Sequence, residues 1–193
     1  MITLDPHSFI GLGQLEELAS KLELEIDRRP FLTRAESVNQ RDIRLSNTQS
    51  YRENVELVGS GRQPLYKPGE GQGTEPASNR SVSTLAAHAA TAYAKERGLD
   101  GRFYWAASKE YWEQGTDLGT LYTLRRVSMS AGLDWGKMWP KLESGSYHEL
   151  VLGQHEEASK TGVVQTPSFQ IGGQLHSGAM TVEQLRATVQ AVG

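Results

Sequence analysis

Gly162-Val163-Val164-Gln165-Thr166-Pro167-Ser168-Phe169-Gln170-Ile171-Gly172-Gly173, followed by Leu175-His176-Ser177-Gly178-Ala179, is the stretch on which the fold of this chain turns. An apolar run is broken by Pro167, resumed by Phe169 and Ile171, and closed by two glycines. The pattern predicts an approach loop, a strand, a two-residue hairpin and a second strand. A proline at a strand entrance must sit where no ladder donor is needed, and Thr166-Pro167 is a candidate for a cis turn. A helix follows: Thr181 is its N-cap, Glu183 and Gln184 fill the first turn, and Val182, Leu185, Val189 and Val192 make an apolar stripe.

The other end of the chain opens with a short alternation at residues 1–4. Asp5-Pro6-His7-Ser8 then starts a helix, with Asp at the N-cap, Pro at the first helical position and Leu12, Leu15, Leu18 and Leu22 on one side. Leu22, Leu24 and Ile26 alternate with charged residues, so residues 21–32 read as a second strand and the opening as a β-α-β unit. Residues 33–58 are polar with weak periodicity, a broken helix and loop. Residues 59–79 are rich in Gly and Pro and form an excursion or lid. The glycines there are not followed by Lys-Ser or Lys-Thr, so they do not read as a phosphate cradle.

Five helices are expected next, over residues 83–98, 101–114, 118–131, 135–142 and 147–161, an all-α block between the two ends. His88 lies within the first of them, where a histidine in an Ala-rich helix reads as an interior group. All four tryptophans, Trp105, Trp112, Trp135 and Trp139, fall in this block. Most are expected to form its core, with one or two left to line a pocket for a flat conjugated ligand.

Composition narrows the chemistry. A chain of 193 residues, 37% hydrophobic and 22% charged, suits one globular domain with an inserted subdomain. A net charge of -3 gives no reason to expect nucleic acid or an anionic membrane as partner. No apolar run is long enough for a membrane span, and no secretory leader pattern opens the chain, so a soluble, cytoplasmic protein is expected. The five histidines (7, 88, 148, 155 and 176) have no paired spacing that suits a metal. The cysteine count is zero, which removes disulfides, thiolate nucleophiles and dithiol redox chemistry together.

The proline loop, the Gly-Gly hairpin and the terminal helix resemble the closing half of DsbA-like thioredoxin-fold proteins, whose cis-proline loop lies in a G-V-x-x-x-P-x-F-x-I-x-G stretch. The runs Y-W-E-Q-G-T-D-L-G (111–119), A-G-L-D (131–134) and L-E-S-G-S-Y (142–147) resemble that family's helical domain. The resemblance implies an α/β, thioredoxin-like fold with an inserted all-α helical subdomain. Residues 1–32 would be the first half, 33–161 the insertion and 162–193 the second half.

In that family a C-P-x-C motif opens the first helix, and Asp5-Pro6-His7-Ser8 is in register with it. Two relatives, 2-hydroxychromene-2-carboxylate isomerase and kappa-class glutathione transferase, carry S-P-x-S; Asp5 falls on their first serine and Ser8 on the second. The resemblance therefore implies cis-trans isomerisation of a conjugated double bond in an aromatic or polyene substrate, in degradation or biosynthesis. Asp5, His7 and Ser8 would be catalytic. Pro6, Thr166, Pro167, Trp105 and Trp112 would contact a small-molecule or carrier-tethered substrate. His7 is the proton carrier of this set.

An external thiol such as glutathione is the cofactor the relatives suggest, and reversible protonation into an enol is the thiol-free alternative. Asp5 would repel a thiolate beside it. The relatives' Gly-Ser-Asp, which grips the glutamyl end of glutathione, is replaced by Gly178-Ala179-Met180. A homodimer or heteromeric partner, a non-catalytic binding module, and glutathione-transferase-like conjugation are the other readings.

Overall fold

The computed structural model describes residues 6–32, 85–114, 116, 118–119 and 121–192, and at positions 6, 7 and 112–114 the backbone alone. The strand expected at residues 1–4, the helix and loop at 33–58 and the Gly/Pro excursion at 59–79 lie outside the described residues. The described elements are α1 (Pro6–Leu22), α2 (Leu85–Lys95), α3 (Asp100–Gln114), α4 (Leu121–Ser130), α5 (Trp135–Glu143), α6 (Ser146–Lys160), β1 (Ser168–Ile171), β2 (Gln174–Ser177) and α7 (Val182–Gln190). Two compact units are formed, Met1–Thr33 with Gly153–Gly193, and Arg34–Leu152.

In the first unit the hairpin is as the sequence reads. β1 and β2 pair antiparallel with Phe169 opposite His176 and Ile171 opposite Gln174. Gly172 and Gly173 both have positive φ, 56° and 83°, the requirement of a type I′ turn that matches strand twist. At Gly172 a Cβ would lie 2.5 Å from Val192 Cγ1, so the turn is also backed by the end of the chain. Thr181 caps α7 in a capping box: its hydroxyl accepts from Gln184 N, and its N–H donates to Gln184 Oε1. α7 and α1 are in contact. Leu18, Phe169 and Leu185 form the unit's buried cluster, with Leu15, Ile171, Met180 and Val189 packed against it. Helix stripe and strand face meet there, and the burial of each of the three stabilises by roughly 1.5–3 kcal/mol.

Residues 21–32 correct the expectation. Lys21 and Leu22 belong to α1, which ends with Glu23 in the left-handed region (φ 54°) and Leu24 N donating to Ala19 O at 3.2 Å. That is a helix-ending turn. Beyond it no strand forms; Pro30 makes an isolated bridge only. Side chains tie this segment down instead. Arg28 pairs with Glu16, Arg29 with Asp27 at 2.9 Å, and the Leu32 N–H donates to His155 Nδ1 at 3.3 Å while the Phe31 ring lies 4.6 Å from the His155 ring.

The second unit is helical in its described residues. α2 is the hub, in contact with α3, α4 and α5. From Leu85 to Ala94 every residue but Thr91 is buried, which small alanine side chains permit because neighbouring helices can close in on all sides. Tyr93, Phe103, Leu118, Leu124, Val127, Met138 and Leu142 complete the interior. Trp105, Trp135 and Trp139 do not join this core as expected; each is half-buried. Trp135 and Trp139, four residues apart on α5, stack at 5.6 Å. One turn of helix brings such a pair together on the surface of its own element.

Candidate functional site

The first helix begins at Pro6. A proline is suited to this position because its missing N–H would be unpaired anyway and its φ is already helical. Asp5 lies outside the described residues, and Pro6 and His7 are described by backbone alone. Ser8 is buried, at 2% exposure. Its hydroxyl thus belongs to the interior of the first turn.

One turn further on, Gly11 meets the proline loop. A Cβ placed on Gly11 would lie 3.3 Å from Phe169 Cζ and 3.7 Å from Pro167 Cγ. A glycine inside a helix costs roughly 0.5–1 kcal/mol relative to alanine; here it lets the helix approach the loop. The start of α1 and Pro167 are therefore held against one another within the first unit.

Thr166–Pro167 is cis. Two hydrogen bonds shape the loop around it: Ser168 Oγ donates to Gln165 O at 2.7 Å, and Gly178 N donates to Pro167 O at 2.8 Å. Pro167 and Ser168 are buried, Thr166 is half-buried, and Val164 and Gln165 face solvent, Val164 at 81% exposure. The loop thus meets solvent at Val164, at Gln165 and in part at Thr166. Trp105 and Trp112 stand on α3 in the second unit. Trp105 is half-buried with its ring edge-on to Tyr104 at 5.2 Å, and the Trp112 side chain lies outside the described residues.

The corner after β2 bears on the thiol cofactor. Ala179 is exposed and its side chain carries no polar group, Met180 packs against the Leu18–Phe169–Leu185 cluster, and the Thr181 hydroxyl and N–H are both engaged with Gln184. These residues do not fit the glutamyl end of glutathione, whose carboxylate and amine need polar partners. Among the described residues, no three His, Asp or Glu side chains gather as a metal cluster.

Two histidines of the second unit are interior and neutral. Burial pushes His88 down to about 4 and lowers His148 as well, since a charged ring in an apolar surrounding is penalised. Among the described residues neither ring nitrogen of His148 has a hydrogen-bond partner.

Sequence reasoning missed the roles of Gly11, Ser168 and His155, and it read Gly178 only as part of the Gly178-Ala179-Met180 replacement, not as the donor to Pro167 O. A signal existed for Gly11, because a glycine interrupting a helical stripe usually has a packing reason. None existed for His155, whose partners lie more than a hundred residues away in the chain.

A family model described as DSBA-like thioredoxin domain matches residues 4–190. No curated protein matches the chain.

Proposed function

The chain belongs to the DSBA-like thioredoxin domain family, with a thioredoxin fold and a helical insertion, and from that premise we propose that it isomerises a conjugated double bond in an aromatic or polyene substrate. The observation that carries the proposal is a member with no cysteine that keeps the cis Thr166–Pro167 loop packed on the first helix. Disulfide exchange needs a thiolate and is excluded. The loop and the helix terminus, which bind rather than react, remain.

Turning a double bond requires that its order fall for a moment. Of His7 and Asp5, one takes a proton from the γ carbon of a conjugated ketone while the other protonates the carbonyl oxygen, giving a dienol in which the former α,β double bond is single and rotates; return of a proton to the γ carbon and loss of the hydroxyl proton restore the ketone. Thr166 and Pro167 hold the substrate backbone. Ser8, at 2% exposure, acts by fixing the first turn rather than by reaching the substrate.

The test offers a cis-configured aryl-conjugated ketone with hydrogens on its γ carbon to the purified chain in heavy water and follows the absorbance of the conjugated system. Trans product carrying deuterium is expected, with loss of rate by a factor of about 100 or more in His7→Ala, the usual size of a general acid–base contribution. Absence of turnover across a panel of such ketones, with and without added thiol, would defeat the isomerase reading. The burial of Ser8 favours a second reading, a binding module that uses the same loop as a docking edge; a stable complex with a partner protein in the absence of any turnover would select it.

A further inference from the structure

Among the described residues β2 pairs with β1 alone, and the backbone of Leu175 and Ser177 bonds to no loop or helix. In a two-residue hairpin the residues flanking the turn exchange both of their backbone bonds, and the pattern alternates from there. Ile171–Gln174 and Phe169–His176 are therefore the hydrogen-bonded pairs, and the N–H and C=O groups of Leu175 and Ser177 point away from β1. Burial agrees with this. Ser168 and Phe169 of β1 are buried, whereas Leu175 and Ser177 are exposed.

Open sheet edges are ordinarily guarded by a lysine, a proline or a bulge, which keep other strands from pairing with them. None of these guards β2. Its register with β1 is continuous, and residues 161–182 contain no Lys, Arg, Asp or Glu in a chain that is 22% charged overall. The one proline of that stretch, Pro167, lies in the loop before β1. Apolar side chains stand there instead. Leu175 is 38% exposed and reaches to 3.8 Å from where a Cβ on Gly162 would stand, and Val164, two residues further on, is 81% exposed.

We propose that a second copy of this chain pairs with this edge, β2 against β2, antiparallel about a two-fold axis at His176. A two-fold interface sets a surface against itself, so any charge on it is repeated across the axis. An edge without charge escapes that repulsion, and it offers a foreign peptide no charge by which to be selected. The outward groups fix the register. Leu175 of each copy exchanges backbone bonds with Ser177 of the other, and the two His176 residues face one another as a non-hydrogen-bonded pair. The two Leu175 side chains then lie diagonally across the axis on one face, within reach of each other. Because β2 has only four residues, the backbone bonds are few and the burial of these leucines has to add to them.

Sedimentation of the full chain over about a hundredfold range of concentration should show a monomer–dimer equilibrium. Leu175→Lys, which sets a charge beside its own copy, and Ser177→Pro, which removes an outward N–H and leaves the bonds to β1 in place, should each weaken association by about tenfold or more. The register is read separately, in a chain that has no cysteine of its own. Facing residues of a non-hydrogen-bonded pair stand about 4.5 Å apart at Cα, which suits a disulfide. His176→Cys should therefore oxidise to a covalent dimer, and Gln174→Cys, whose copies would be more than ~13 Å apart along the strands, should not. A chain that stays monomeric throughout would overturn the proposal, as would a dimer indifferent to both Leu175→Lys and Ser177→Pro, or equal cross-linking of the two Cys variants. Those variants keep the edge uncharged and its backbone whole, so they decide the matter even if Ser177→Pro fails to fold. Association is measured without any substrate, so the outcome is independent of the isomerase test.

Discussion

Residues 168–177 and 22–32 carry the same outward signal, apolar side chains alternating with polar ones, yet only the first makes strands. Phe169 and Ile171 have their partners a few residues ahead, delivered by a turn in which both glycines have positive φ. Leu24 and Ile26 have no such turn, and the last backbone donor of their segment goes to a side chain, His155. Alternation says which face of an extended chain is apolar. It does not say whether another backbone is available to complete the ladder.

The comparison can be pressed hardest at its apolar residues. Phe169→Ala should cost about 3–5 kcal/mol by urea denaturation, because it empties the cluster shared with Leu18 and Leu185. A loss below 1 kcal/mol would mean that the hairpin is held by its turn alone.

Acid probes a buried group in neither segment. His88 binds its proton near pH 4 when folded and near ~6.5 when unfolded. The unfolded chain therefore holds more protons between those values, so stability falls as pH drops through that window and is complete above it. The loss should reach roughly 3 kcal/mol, and melts at a series of pH values should lose that part of the slope in His88→Leu.

Gly172→Ala comes next. It forces a Cβ into the left-handed region and against Val192, for an expected cost of about 1–2 kcal/mol or more; a neutral result would deny that the turn selects the register. His155→Ala should cost about 1 kcal/mol through the lost acceptor for Leu32 N–H. His155→Gln, which keeps an acceptor, should recover part of it, as read by the exchange protection of the Leu32 amide. At the bottom of the scale, Ile26→Ser should stay within about 0.5 kcal/mol, since Ile26 is only half-buried and no strand uses it. If it rivals Phe169→Ala, the two segments are alike after all.

The candidate site divides along the same line. The cis bond at Thr166–Pro167, the helix start at Pro6 and the cap at Thr181 were all legible, because each is a local preference of two to four neighbouring residues. The meeting of Gly11 with Pro167, the clamp of Ser168 on Gln165 O and the burial of Met180 were not. The half-burial of Trp105, Trp135 and Trp139 was also misread, because size and apolarity fit a core and a partly covered surface equally well.

By itself the sequence determined where the backbone turns and caps, and, through its lack of any cysteine, what chemistry is closed to it. Those properties are short-range or compositional and need no knowledge of what lies across the fold. Only the tertiary structure decided that Gly11 rests on the proline loop, that His155 takes the amide of Leu32 and that Met180 turns inward beside Leu185. Each joins residues far apart in the chain, and such pairings follow from which surfaces can be buried together, a condition on the whole packed unit that no local window of residues contains.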